Sequence, residues 1–60
     1  MEKIIIDNII SFAKNLSKTN KLNGYIYLLG VYEENKNHIG DKDLLKLLIN
    51  ILNLQKEIYP

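Results

Sequence analysis

Three successive stretches of this chain carry apolar residues at helical spacing, and each apolar arc is broader than one neighbouring helix could cover. Only 60 residues are available to bury these arcs, and 47% of the residues are apolar. A domain of this size buries only about 60% of the surface that its unfolded chain exposes. The pattern therefore predicts a single compact all-α domain of three helices, over residues 1–60, with apolar surface left over.

The first stretch predicts a helix over about residues 3–18. At 100° per residue its polar residues fill one side, and only Ile4 is misplaced. Charge order agrees, because Asp7 comes early and Lys14 and Lys18 come late, where they complement the helix dipole. The residues of the apolar arc are Ile5, Ile6, Ile9, Ile10, Phe12, Ala13 and Leu16.

The second stretch allows two interpretations. Residues 25–32 have the composition of a strand, and Asn23-Gly24 is a typical hairpin turn. No partner strand precedes this turn, however, and an isolated strand leaves its backbone groups without hydrogen bonds. The sequence therefore favours a helix over residues 23–35, and its broad apolar face places this helix between the other two.

The third stretch follows a loop over residues 35–40, and Asp41 is expected to be its N-cap. Its apolar residues cover about half of a helix circumference, which predicts a helix over about residues 42–58. Leu45 and Ile49 lie at or beyond the edge of this apolar arc.

Composition excludes several functional classes. The chain has no cysteine, so it has neither a disulfide framework nor thiolate chemistry, and a reducing cytoplasm is the expected location. Its net charge is only +1 and all eight basic residues are lysines, which gives weak attraction to nucleic acid and no bidentate recognition of guanine. Half of the chain consists of Ile, Lys, Asn and Tyr, whose AT-rich codons are typical of phages and low-GC bacteria.

No catalytic, cofactor-binding or metal-binding motif is recognisable in the sequence. Ser11 and Ser17 have no neighbouring base and no Gly-rich turn that would make either a nucleophile. His38 lies near four acidic residues, but one histidine cannot complete a zinc site, and the loop lacks the ligand alternation of a calcium site. The acidic residues are Glu33, Glu34, Asp41 and Asp43. We therefore expect a non-enzymatic protein without cofactors or metal ions.

The same acidic residues argue against DNA binding, because they lie where a helix-turn-helix protein would meet the phosphate backbone. The first helix is apolar on one side and carries lysines elsewhere, as helices at membrane surfaces do, although those usually have a more cationic face. A helix that packs into a protein core has the same pattern and is the commoner case. We therefore expect neither nucleic acid nor a membrane as the partner.

One polar face of the second helix is a candidate site for a protein partner. Asn23, Tyr27, Gly30 and Glu34 recur at spacings of four, three and four, so they line this face. A helical glycine costs about 1 kcal/mol relative to alanine, so close approach of another backbone is expected at Gly30. Because interfaces favour aromatic anchors, Tyr27 would be the centre of the contact. The alternative is that Gly30 admits the first helix and that Tyr27 is partly covered.

The surplus apolar surface is expected to be covered by a second copy of the chain, as small domains often oligomerise. The residues expected to mediate this self-association are Ile6, Ile10, Leu45, Ile49 and Leu52. The function favoured by these features is a small stoichiometric regulator or inhibitor of another protein, acting as a homodimer. The alternatives are a dimeric helical DNA-binding regulator and a membrane-surface or immunity-type helical protein.

Overall fold

The computed structural model describes residues 5–59 of the chain. These residues form three α-helices, α1 (Ile6–Thr19), α2 (Lys21–Asn35) and α3 (Asp41–Ile58), and they contain no strand. The predicted all-helical fold of three helices is confirmed. The strand-like composition of residues 25–32 belongs to the middle of α2, so the helical interpretation of that segment is also confirmed.

A single residue, Asn20, connects α1 to α2. Its backbone is extended, its N–H donates to the Leu16 carbonyl (3.2 Å), and its side-chain oxygen accepts a hydrogen bond from the Leu22 N–H (2.9 Å). Asn20 therefore ends one helix and caps the next. As a result, α2 begins at Lys21, two residues before the predicted start.

The other helix ends also differ slightly from the prediction. Ile5 is extended and α1 begins at Ile6, while residues 3–4 of the predicted helix lie outside the described residues. Gly40, rather than Asp41, is the N-cap of α3, and its carbonyl accepts from the Leu44 N–H (2.9 Å). The prediction of Asp41 as the cap is wrong by one residue, because Asp41 is already helical.

The core lies where α2 packs against both other helices, as predicted for the central element, whereas α1 and α3 contact each other much less. Ala13, Leu28, Leu47 and Ile51 form its buried cluster, to which each helix contributes. Leu28 and Leu47 are the largest fully buried side chains. Helix α2 is therefore the central helix, and α1 and α3 meet along a smaller contact.

Helices α1 and α2 approach each other closely at Gly24. A methyl group there would collide with the Ser17 hydroxyl and would lie 2.6 Å from the Ala13 carbonyl oxygen. The Ser17 hydroxyl meanwhile donates to that same carbonyl (2.9 Å). The absence of a side chain at Gly24 thus sets the separation of the two helices.

Candidate interaction surfaces

The polar side chains of the described residues give no candidate for a metal site. Within residues 5–59, no three His, Asp or Glu side chains lie close enough to hold a metal ion, and no buried side-chain N or O atom lacks a hydrogen-bond partner. A cleft of about 180 Å³ between α1 and α3 is lined by Ile10, Lys14, Asn50 and Glu57, among others. Small-molecule sites usually measure about 300–1,000 Å³. The surface features that remain to be explained are therefore apolar ones.

Large apolar side chains remain exposed on all three helices and at the residues that flank α1 and α3. In the described part of the chain these are Ile5, Phe12, Leu22, Ile26, Leu45, Ile49, Leu52 and Tyr59. A single exposed apolar residue is ordinary, but exposed apolar residues on one helix face indicate a contact surface.

The clearest such face is on α3, and we name Leu45, Ile49 and Leu52 the α3 stripe. Their spacing of four and three places them on one side of the helix, and they are 59%, 49% and 53% exposed. The fully buried Leu47 lies about 200° around the helix from Leu45. Helix α3 is therefore apolar on its core face and again on the opposite face, where a surface helix is usually polar.

Two of the residues predicted to mediate self-association are not available for it. Ile6 and Ile10 are 4% and 8% exposed, so they are buried within the single chain. Both lie within about 60° of the core residue Ala13 around α1, and the packing of the three helices covers this whole sector. The prediction is therefore wrong for Ile6 and Ile10, while the α3 stripe contains the three predicted residues that stay exposed.

The four predicted partner-binding residues lie along one side of α2, which we name the α2 face. Asn23, Gly30 and Glu34 are exposed, whereas Tyr27 is half-buried. The Tyr27 ring packs edge-to-face against Phe12, with ring centroids 5.0 Å apart. The alternative, in which Tyr27 is partly covered, is therefore correct for this residue, because the ring belongs partly to the contact between α1 and α2.

Phe12 is the surface residue that sequence reasoning missed. It is 51% exposed and lies against Tyr27, so the two rings together give the α2 face its aromatic edge. Its position at the border of the apolar arc of α1 was the available signal, but it is not sufficient by itself, because Ile10 at the opposite border is buried.

Gly30 lies in the open part of the α2 face. No atom lies within 4 Å of the position that a methyl group would occupy there. The interpretation of Gly30 as the point where α1 enters is therefore wrong, since that role belongs to Gly24. Gly30 leaves a stretch of exposed helix backbone between Tyr27 and Glu34.

No helix within residues 5–59 is long and apolar enough to cross a membrane. Comparison of the chain with protein-family models, with curated proteins and with solved structures found no match. The surfaces of the chain itself are therefore the guide to its function.

Proposed function

We propose that this chain is a non-enzymatic protein–protein interaction module, a small stoichiometric regulator or inhibitor of another protein that acts as a homodimer. The observation that carries the proposal is the exposure of large apolar side chains on helix faces turned away from the core. Apolar surface of this kind is retained in soluble proteins mainly where another molecule covers it. Among residues 5–59, no group of His, Asp or Glu side chains is placed to hold a metal ion.

The α2 face is the proposed contact with the target protein. Phe12 and Tyr27 supply an aromatic edge that is already held in place by edge-to-face packing, so little side-chain entropy is lost when a partner binds. Beside it, the open backbone at Gly30 allows a partner to approach more closely than any other residue type would. Asn23 and Glu34 are exposed and provide a polar rim.

The α3 stripe is the proposed contact with a second copy. It lies on a different helix from the α2 face and is turned away from the core. A dimer built on α3 leaves Gly30 and its neighbours on α2 free for the target. Each copy of the dimer would then bind one target molecule.

Substitution of Gly30 by arginine tests the α2 face. A long charged side chain at this open helical position should block a partner without disturbing the fold, since nothing lies within 4 Å. Ser11→Arg is the matched control, because Ser11 is exposed on the side of α1 opposite the core residue Ala13 and the charge change is the same. Wild type and the control should retain one protein from a host lysate at near 1:1 ratio, and Gly30→Arg should retain at least about tenfold less.

Circular dichroism should show the same helix content in all three chains. Equal retention by wild type and Gly30→Arg would refute the α2 face, and the lack of any stoichiometric partner would refute the regulator itself. Retention on DNA that falls steeply with salt would instead indicate a DNA-binding protein. Sedimentation with anionic liposomes would indicate a membrane-surface protein.

A further inference from the structure

We propose that two copies of the chain pair through the α3 stripe with their α3 helices antiparallel, around a two-fold axis between residues 48 and 49. The inference deepens the proposed function, since it depends on the same idea that the exposed apolar faces serve association. Its first support is the position of the stripe opposite the core, where no other part of the described chain covers it.

The stripe is self-complementary in this arrangement. An antiparallel pair with its axis between residues 48 and 49 sets Leu45 of one copy opposite Leu52 of the other. Ile49 then lies beside the axis, next to the half-buried Leu48. A two-fold interface requires this kind of matching, in which residue i meets j and j meets i.

Charges at the two ends of α3 select the antiparallel orientation. Asp41 and Lys56 are exposed, lie within about 40° of Leu45 around the helix, and are separated by about 22 Å along it. The antiparallel register sets Asp41 of each copy opposite Lys56 of the other. A parallel pair would instead set Asp41 against Asp41 and Lys56 against Lys56, which is unfavourable.

Other charges on α3 are compatible with this pairing. Lys42 lies about 60° from Leu45, on the flank, where its long side chain reaches solvent. Glu57 is farther around the helix and is 3.8 Å from Lys21 of the same chain, and Lys46 is 3.0 Å from Asp7. The antiparallel pair also places each helix N-terminus beside the C-terminus of its partner, so that the helix dipoles attract.

The contact is small, which predicts a weak dimer. Three half-exposed side chains and their flanks cover roughly half of the ~800 Å² per partner that stable complexes bury. We therefore expect a dissociation constant between about 1 and 100 µM at low salt.

Sedimentation equilibrium of the purified chain from about 1 to 500 µM tests the pairing, because this range brackets the expected affinity. Wild type should change from monomer to dimer, and Ile49→Glu should remain monomeric because it sets two carboxylates beside the axis. Ile26→Glu is the matched control, as Ile26 is comparably exposed on α2 and should still dimerise. A monomeric wild type, or a dimer that only Ile26→Glu abolishes, would overturn the proposal.

Charge exchange tests the orientation. Asp41→Lys and Lys56→Asp should each weaken the dimer at least about threefold, and the double variant should restore it. The absence of cysteine allows a second test by crosslinking. A mixture of Leu45→Cys and Leu52→Cys chains should form the mixed disulfide under mild oxidation, whereas rapid crosslinking of Leu45→Cys with itself would show a parallel pair and overturn the orientation.

These experiments contain no target protein, so their failure is separate from that of the proposed function. If Ile49→Glu and wild type are both monomers that still retain the target, the homodimer is refuted, and the contact between the chain and its target stands. If the dimer forms but no target is retained, the α3 pairing stands and the regulator is refuted.

Discussion

Two glycines of α2 lie in opposite environments, so replacing each by alanine should change stability in opposite directions. A methyl group at Gly24 would collide with Ser17 and force α1 and α2 apart, which should lower the free energy of unfolding by about 1–3 kcal/mol. A methyl group at Gly30 meets nothing within 4 Å. Gly30→Ala should therefore raise the free energy of unfolding by up to about 1 kcal/mol, because alanine is the better helix former. Urea unfolding of both variants at one low protein concentration measures the two changes. A Gly24→Ala chain as stable as wild type would contradict the close contact.

The same pair of residues shows where sequence reasoning stops at the residue scale. Helical periodicity identifies the face on which a residue lies, but not the point at which two helices approach each other. The spacing alone therefore predicts the tight contact at Gly30 and gives no sign of one at Gly24, although the structure places the tight contact at Gly24. Ile6 and Ile10 are a related case. They lie in the apolar arc as predicted, but only the packing of three helices decides that they are covered.

At the scale of one element, α3 has two apolar faces, one buried in the core and one exposed on the outside. Leu47 is fully buried in the core, and Leu45, two residues earlier, is 59% exposed on the α3 stripe. Leu47→Ala should therefore lower the free energy of unfolding by about 2–5 kcal/mol, which removes most of the stability of so small a domain. Leu45→Ala should change it by less than about 1 kcal/mol in the monomer. Urea unfolding at protein concentrations too low for dimer formation measures both changes. An equal loss of unfolding free energy in the two variants would mean that the two faces are misassigned.

The three helices themselves could be predicted because their signals are local. Apolar spacing indicated each helix, and the lack of a partner strand decided in favour of a helix for residues 25–32. The early start of α2 was missed because Asn20 alone connects it to α1, which is shorter than the usual link between helices. Of the candidate site, Leu45 and Ile49 were correctly placed away from the core because they lie at the edge of the apolar arc. The covering of Tyr27 by Phe12 joins residues of two helices, so no single periodicity could indicate it.

At the scale of the molecule, the small cross-section of the helix bundle explains why so much apolar surface is exposed. The chain measures 35 × 18 × 16 Å across its Cα positions, so it is about two helices thick and has few interior positions. The ion pairs Asp7–Lys46 and Lys21–Glu57 join separate helices, but their side chains are largely exposed and each contributes no more than about 1 kcal/mol. Further stabilisation is therefore expected from covering the outer apolar faces rather than from charges on the surface.

Pairing of two folded chains through the α3 stripe predicts a thermal unfolding midpoint that depends on protein concentration. A partner that binds only the folded chain stabilises it, by about 1.4 kcal/mol at ten times the dissociation constant, which for a domain of this size is about 6–11 °C. Calorimetry of wild type at about 5 µM and 500 µM should show a rise of this order if the α3 stripe is covered by a second copy. Ile49→Glu should unfold at one temperature throughout the same range, since its stripe cannot pair, while Ile26→Glu should behave as wild type does. A wild-type midpoint that stays constant over this range would mean that the outer face of α3 contributes nothing to the stability of the folded state.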